Sequence, residues 1–153
     1  MLKKKHNASR YSLVMGALLL TAFSACQSPN GKAAQATTTE ADSVKILDKE
    51  VMDMHNIAMP KMVHIRTQKQ ILTNSIDSLT KLKKEVPAAF TDAVHNLDSA
   101  SNAMDVWMKA YDYDMTGKSD AEKITYLNGE LKKIEAIKAH MESSIEQAKS
   151  VQQ

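Results

Sequence analysis

The chain has 153 residues, of which 43% are hydrophobic and 25% charged, and its formal net charge is +2. This length suffices for one domain with a tether, and the single cysteine excludes an internal disulfide. The first 25 residues carry four basic and no acidic side chains, so the rest of the chain has 16 basic and 18 acidic residues, a formal charge of −2. A nearly neutral chain lacks the basic patch that binds nucleic acid or anionic lipid headgroups, and we expect no nucleic-acid partner.

The N-terminus has the layout of a secretory signal peptide. Three lysines and Arg10 precede an apolar run, residues 11–25, that ends in the small residues Ser24 and Ala25. The run has 15 residues, fewer than the ~20 that a transmembrane helix needs. We therefore predict that residues 1–25 are a signal peptide and not a membrane span.

Cys26 follows these small residues directly, where cleavage is expected. This order resembles a bacterial lipoprotein signal, in which the cysteine carries a diacylglycerol and an N-acyl chain, although Phe23 stands where leucine is commonest. The alternative is an ordinary secretory signal with an incidental cysteine. Lipidation also explains why an exported chain has a single thiol, so we predict that Cys26 is lipidated and that acyl chains such as palmitate anchor the protein.

The residues after Cys26 indicate where the protein is sorted. Gln27 stands where aspartate would favour retention at the inner membrane, so resemblance to the usual sorting rule favours the outer membrane. No acidic cluster of the kind linked to surface display follows, so we expect the protein to face the periplasm. Residues 26–39 are rich in small and polar residues and show no apolar periodicity. We predict that they form a flexible tether.

From Val44 onward, apolar residues recur every seven positions, which predicts a long helix that packs in a bundle. The members of this stripe are Val44, Val51, Ala58, Ile65, Leu72, Leu79 and Val86. Thr39–Asp42 resembles a capping box at the start of the helix. Pro60 lacks an amide hydrogen and clashes with the preceding turn, so the helix should kink or break near Met59. The segment before Pro60 then either projects as a free arm or folds back as a fourth, shorter helix.

Two further helices follow in the sequence. Pro87 ends the first helix and suits the first turn of the second. The stripe of the second helix consists of Phe90, Val94, Leu97, Ser101, Met104, Met108 and Tyr111, with Trp107 beside it. Residues 112–118 should form a loop, and Ser119–Glu122 is a second capping box. The stripe of the third helix consists of Ile124, Leu127, Leu131, Ile134, Met141, Ile145 and Ala148.

The predicted fold class is therefore all-α. We expect residues 40–153 to form an antiparallel bundle of three long helices, or of four if the first helix breaks at Pro60. No segment of the chain alternates apolar and polar residues as a strand would.

Three residues beside Pro60 could bind a metal ion. His55, Met59 and Met62 are spaced four and three residues apart, so they share one face of an unbroken helix. Imidazole and thioether ligands together suit a soft ion such as Cu(I). The alternative is that the methionines fill the core beside the kink, with the histidine at its rim, and Pro60 interrupts the spacing that a metal site needs.

No residue set in the sequence specifies a reaction. We find no carboxylate pair on an apolar face, no glycine-rich phosphate loop and no serine elbow. We therefore predict that the protein is not an enzyme and name no catalytic residues. Apart from the covalent lipid on Cys26, we expect no cofactor.

The segment from Glu50 to Met62 contains the pattern H-x3-M-P-K-M, and Trp107-Met-Lys-Ala-Tyr-Asp112 follows later in the chain. These segments, with the helix from Ser119, resemble small Gram-negative lipoproteins labelled "viral A-type inclusion protein". The resemblance covers most of the chain after Cys26. It implies an exported helical lipoprotein and adds no catalytic residues.

The predicted function is a structural or protein-binding role in the cell envelope, with an envelope protein as partner. The apolar segment before Pro60, if free, could accept a partner helix. The alternative function is periplasmic metal binding of the copper type by His55, Met59 and Met62.

Overall fold

The structure is a computed structural model that describes residues 38–153, all within one compact unit. The predicted signal peptide, Cys26 and all but the last two residues of the tether lie outside the described residues. The buried core and the side chains packed against it lie between Val44 and Val151. We therefore expect this unit to fold without the residues that precede it. No helix among residues 38–153 combines the length and the apolar character needed to cross a bilayer.

The described part of the chain is mostly helical and contains no strand. Its helices are α1 (Glu40–Ala58), α2 (Lys61–Lys81), α3 (Ala88–Ala110) and α4 (Asp120–Ser150). Met59 and Pro60 keep right-handed helical dihedral angles, and the Met59 amide donates to the His55 carbonyl. Because the backbone continues as a helix through Pro60, α1 and α2 form one bent helix. The fold is thus a bundle of three long helices, and the predicted kink near Met59 is confirmed.

The helix ends follow the sequence signals. Both predicted capping boxes are present, with Thr39 and Ser119 each accepting from a backbone amide three residues on. At the C-terminus of α2, Lys83 adopts a left-handed φ of 52°, and the Lys84 amide donates 2.9 Å to the Leu79 carbonyl. This six-residue closure is a Schellman motif, which ends the helix and turns the chain toward α3.

Contacts between helices show that α3 runs antiparallel to the bent helix. The Lys69 ammonium lies 2.6 Å from the Asp98 carboxylate, and the Tyr111 hydroxyl lies 3.0 Å from the Asp48 carboxylate. Folding the chain back at Pro87 with equal spacing on both sides predicts instead that Tyr111 lies level with Met62. That register is wrong, because Tyr111 contacts Asp48, 14 residues before Met62. The connection at residues 82–87 and the bend at Pro60 both change which residues of the two helices lie level.

α4 runs parallel to the bent helix and covers α1. Lys61 pairs with Glu142 at 2.8 Å, and further along both helices the Gln152 amide donates 2.8 Å to Gln68. α1 packs along α4, and Val51 of α1 is fully buried. The segment before Pro60 is thus neither a free arm nor a helix that folds back. At 31 residues, α4 is about 46 Å long and reaches past the bend to cover both parts of the first helix.

The predicted apolar stripes form the core. Every member of the seven-residue stripe is buried or half-buried. The largest fully buried side chains are Val51, Ile65, Leu72, Leu97, Met104, Leu127, Ile134 and Met141. Burying a side chain of this size stabilises the fold by about 1.5–3 kcal/mol.

Candidate functional site

His55 is the one side chain among residues 38–153 whose buried polar atoms have no hydrogen-bond partner. It lies near the end of α1, and its ring stacks on Trp107 of α3 with centroids 5.6 Å apart and an interplanar angle of 28°. Both ring nitrogens are buried and unpaired within the described chain. An imidazole always presents at least one N–H donor, and leaving such a group unsatisfied costs about 1–3 kcal/mol. Packing accounts for the ring carbons of His55 but not for its nitrogens.

Met59 and Met62 lie on the same side of the bent helix as His55. Because the backbone stays helical through Pro60, the spacing of four and three residues keeps the three side chains on one face. The bend therefore does not interrupt that spacing, as the sequence had suggested it would. Both methionines are half-buried and pack against the hydrophobic core. This placement agrees with the interpretation that the methionines fill the core. It also agrees with metal binding, because the thioethers of Met59 and Met62 lie about one and two helix turns from the imidazole.

Other ligand types do not gather elsewhere in the described chain. No three His, Cys, Asp or Glu side chains between residues 38 and 153 lie together as a metal site. His64, nine residues after His55, is exposed. A metal at His55 would depend on the methionine thioethers, which select soft ions.

Glu130 is a buried charged residue that fixes the orientation of Trp107. The indole N–H of Trp107 donates 2.8 Å to one carboxylate oxygen, and the other oxygen accepts from Lys133 at 2.7 Å. Only 5% of Glu130 is exposed. The hydrogen bond to Glu130 raises the pKa of the Lys133 ammonium. Both hydrogen bonds are charge-assisted, so the carboxylate is compensated despite its burial.

Sequence reasoning missed Glu130, although a signal was present. The residue lies three positions after Leu127 and four before Ile134, which places it on the buried face of α4. A carboxylate in an apolar stripe requires a buried donor, and the only tryptophan in the sequence is an obvious one.

Aromatic rings continue from His55 and Trp107 to the end of the bundle. Tyr111 lies one turn after Trp107, with ring centroids 5.1 Å apart, and meets Tyr113 edge-on at 4.7 Å. The Tyr111 hydroxyl donates 3.0 Å to Asp48 of α1. Burial, together with this hydrogen bond, raises the pKa of Tyr111 well above its ordinary value. This contact ties the first helix to the end of α3.

Asp112 organises the loop between α3 and α4. Its carboxylate accepts from the Met115 amide at 2.9 Å and from Lys118, while its own amide donates 2.7 Å to the Tyr126 hydroxyl. The hydrogen bond from Lys118, followed by that from Met115, lowers the pKa of the Asp112 carboxyl. Gly117 has a φ of 81°, which glycine adopts without steric cost. The loop is thus held by its own side chains and by Tyr126 of α4.

An apolar groove runs between α3 and α4. It encloses about 450 Å³ and is lined largely by small and apolar side chains, together with Glu130 and Lys133. Its apolar lining consists of Ala103, Val106, Trp107, Ala110, Ala136 and Ile137. Val106 is 54% exposed. All of these residues belong to α3 and α4, so the other helices leave the groove open.

Comparisons of the chain with protein-family models, with curated proteins and with solved structures found no match in any of the three. The resemblance to small lipoproteins stays a prediction from the residues that carry it.

Proposed function

We propose that the chain is an exported lipoprotein of the outer membrane that faces the periplasm and binds other envelope proteins without catalysing a reaction. The order of the basic start, the apolar run and Cys26 supports export and lipidation. The near-neutral charge of the remaining chain supports anchoring by acyl chains and not by ionic contact with lipid headgroups.

The observation that carries the binding role is the apolar groove between α3 and α4. Its lining includes three alanines, whose short side chains leave room for a partner side chain, and Val106, which also lines it, is 54% exposed. A groove of this kind accepts the apolar face of an amphipathic helix. The apolar stripe of the segment before Pro60, which the sequence suggested for this role, is already packed in the bundle, where Val51 and Ala58 are fully buried.

Site-specific crosslinking tests the groove. A photoreactive amino acid in place of Val106, in the full chain expressed in a Gram-negative host, should crosslink to a discrete envelope protein. The matched control carries the same photoreactive group in place of Glu135, an exposed residue of α4 that does not line the groove. Equal crosslinking from both positions, or none from Val106, would show that the groove is not the binding surface.

Mass spectrometry of the native protein tests the anchor. We expect a mature N-terminus at Cys26 with a diacylglycerol and an N-acyl chain, and membrane release of a Cys26→Ser variant. A native chain with residue 26 unmodified, or with residues 1–25 retained, would overturn the proposed placement.

A second candidate function is binding of a soft metal ion by His55, Met59 and Met62. The observation that favours it is the pair of buried His55 nitrogens without a hydrogen-bond partner in the described chain. Anaerobic titration with Cu(I) should then show one tight site that a His55→Ala variant loses. His64→Ala, which removes an exposed histidine, is the matched control and should bind as the wild type does. Weak binding that both variants retain would rule out this site.

A further inference from the structure

Trp107 and Tyr111 each donate a side-chain hydrogen bond to a carboxylate. The indole nitrogen of Trp107 lies 2.8 Å from Glu130, and the Tyr111 hydroxyl lies 3.0 Å from Asp48. Indole and phenol rings lose a single electron more readily than other aromatic side chains, and this loss makes the indole N–H or the phenol O–H strongly acidic. Each ring therefore has a proton acceptor in place for a one-electron oxidation.

The same two rings belong to a chain of aromatic contacts that reaches the surface. The centroids of Trp107 and Tyr111 are 5.1 Å apart, and those of Tyr111 and Tyr113 are 4.7 Å apart. Trp107 and Tyr111 are each 5% exposed, whereas Tyr113 is 60% exposed. Trp107 also lines the α3–α4 groove. The three rings thus connect the groove with the exposed end of the bundle, and rings this close exchange electrons rapidly.

Tyr126 lies beside this chain but is poorly suited to take part in it. Its ring centroid is 6.0 Å from that of Tyr111. The Lys118 ammonium lies over the Tyr126 ring, 5.5 Å from its centroid. A positive charge at this position opposes the loss of an electron from the ring. The electrostatics therefore favour Tyr113 over Tyr126 as the neighbour that gives an electron to Tyr111.

We propose that Trp107, Tyr111 and Tyr113 form a relay that carries single oxidising equivalents from the core to the surface. A one-electron oxidant, such as a small oxidising radical in the groove, takes an electron from the indole, and the indole proton passes to Glu130. Tyr111 then gives an electron to the indole, which recovers its proton from Glu130, while the phenol proton passes to Asp48. Tyr113 reduces Tyr111, which recovers its proton from Asp48, and Tyr113 releases its own proton to water. In sum, the oxidant gains one electron, Tyr113 loses one, and one proton enters the solvent.

The direction of the relay follows from the chemistry of the two radicals. Near neutral pH an indolyl radical is a stronger oxidant than a phenoxyl radical, so the first transfer runs from Tyr111 to the oxidised Trp107. The core that contains both rings also contains the buried Met104, Met115 and Met141. Oxidation of methionine to its sulfoxide makes an apolar side chain polar and disrupts a core. A radical that moves to an exposed phenol can be removed by an external reductant before it damages these methionines.

Pulse radiolysis of the full chain carrying Cys26→Ser tests the relay, since this substitution removes a competing thiol. Azide radicals oxidise tryptophan selectively, and Trp107 is the only tryptophan in the sequence. Transient absorption then follows the indolyl radical of one residue. We expect this radical to decay at the rate at which a phenoxyl radical grows. The rate should not depend on protein concentration, because the transfer is intramolecular.

Four substitutions in this chain separate the steps. Tyr111→Phe keeps the packing of the ring and should lose the phenoxyl growth. Tyr113→Phe should keep that growth but lose the dityrosine crosslinks that exposed phenoxyl radicals form between chains. Asp48→Asn keeps a hydrogen-bond acceptor without a proton acceptor, so it should slow the transfer and change its solvent deuterium isotope effect. Tyr126→Phe is the matched control and should transfer as the unsubstituted relay does.

An indolyl radical that decays equally fast with and without the Tyr111 hydroxyl would overturn the proposal. So would a rate proportional to protein concentration, or a transfer slowed by Tyr126→Phe and not by Tyr111→Phe. Circular dichroism should show equal helicity in all variants, and Asp48→Asn provides the test if Tyr111→Phe does not fold. None of these results depends on lipid anchoring or on a partner at the α3–α4 groove.

Discussion

The indole N–H of Trp107 in α3 and the carboxylate of Glu130 in α4 form a 2.8 Å hydrogen bond inside the bundle. This bond joins the two helices at a point where both side chains are almost completely buried. It also fixes the ring on which His55 stacks. A tryptophan held in this way acts as a rigid wall of the candidate site.

Replacing Glu130 should show how much the hydrogen bond to Trp107 contributes to the free energy of unfolding. Glu130→Leu leaves the indole N–H buried without an acceptor, and we expect it to lower the free energy of unfolding by about 1–3 kcal/mol. Glu130→Gln keeps an acceptor oxygen and should cost less. Urea denaturation followed by tryptophan fluorescence measures both variants. Equal stability of the leucine variant and the wild type would show that the bond is not needed.

His55 should make the folded protein less stable than an apolar ring at the same position would. His55→Phe keeps an aromatic ring against Trp107 and removes the unsatisfied polar atoms, so we expect the free energy of unfolding to rise by about 1 kcal/mol. Thermal unfolding in the presence of a metal chelator measures the effect. His64→Phe at an exposed position is the control and should change stability little. A marked loss of stability in His55→Phe would mean that the nitrogens do have partners in solution.

The carboxylate of Glu142 should contribute to stability only above acidic pH. Hydrogen bonds from Lys61 and then Lys138 hold the pKa of Glu142 below its ordinary value of 4.5. A lowered pKa in the folded state means that this contribution is present above pH 4.5 and disappears as the pH falls through the folded-state value. The side chain is 43% exposed, so solvent screening limits the effect to less than about 1 kcal/mol.

Denaturation at pH 7 and at pH 3 tests this dependence. The wild type should lose more stability between the two pH values than Glu142→Gln, which has no charge to titrate there. Glu135→Gln removes an exposed carboxylate outside any ion pair of the described chain and should behave as the wild type does. An identical pH dependence in all three proteins would show that the Glu142 carboxylate does not contribute to stability.

Two leucines ten residues apart should respond very differently to truncation. Leu72 is fully buried, so Leu72→Ala should cost about 2–5 kcal/mol. Leu82 is 65% exposed, and Leu82→Ala should stay within about 0.5 kcal/mol of the wild type. Chemical denaturation measures the free energy of unfolding of both variants. Similar costs at the two positions would mean that Leu82 is covered in solution.

Local signals in the sequence predicted the fold well. The seven-residue stripe identified the buried face of the first helix, and both capping boxes mark true helix starts. Pro60 predicted the bend because its missing amide hydrogen and its ring disturb the helix turn just before it. Each of these signals depends on residues within a few positions of one another.

What the sequence did not predict depends on the relative positions of distant helices. The docking of α1 on α4 follows from the length of α4 and from the register set by the connection at residues 82–87, and neither is encoded beside Pro60. The buried ring nitrogens of His55 likewise result from the approach of Trp107, which is 52 residues away in the sequence.

The parallel packing of α1 on α4 has a consequence for how the chain acquires its structure. Sixty-one residues lie between the end of α1 and the start of α4, so during synthesis the first amphipathic segment is made long before the helix that covers it. Native packing of that segment must wait until the last thirty or so residues are available. A prematurely terminated chain would leave its first helix uncovered, which would expose the fragment to proteases and aggregation.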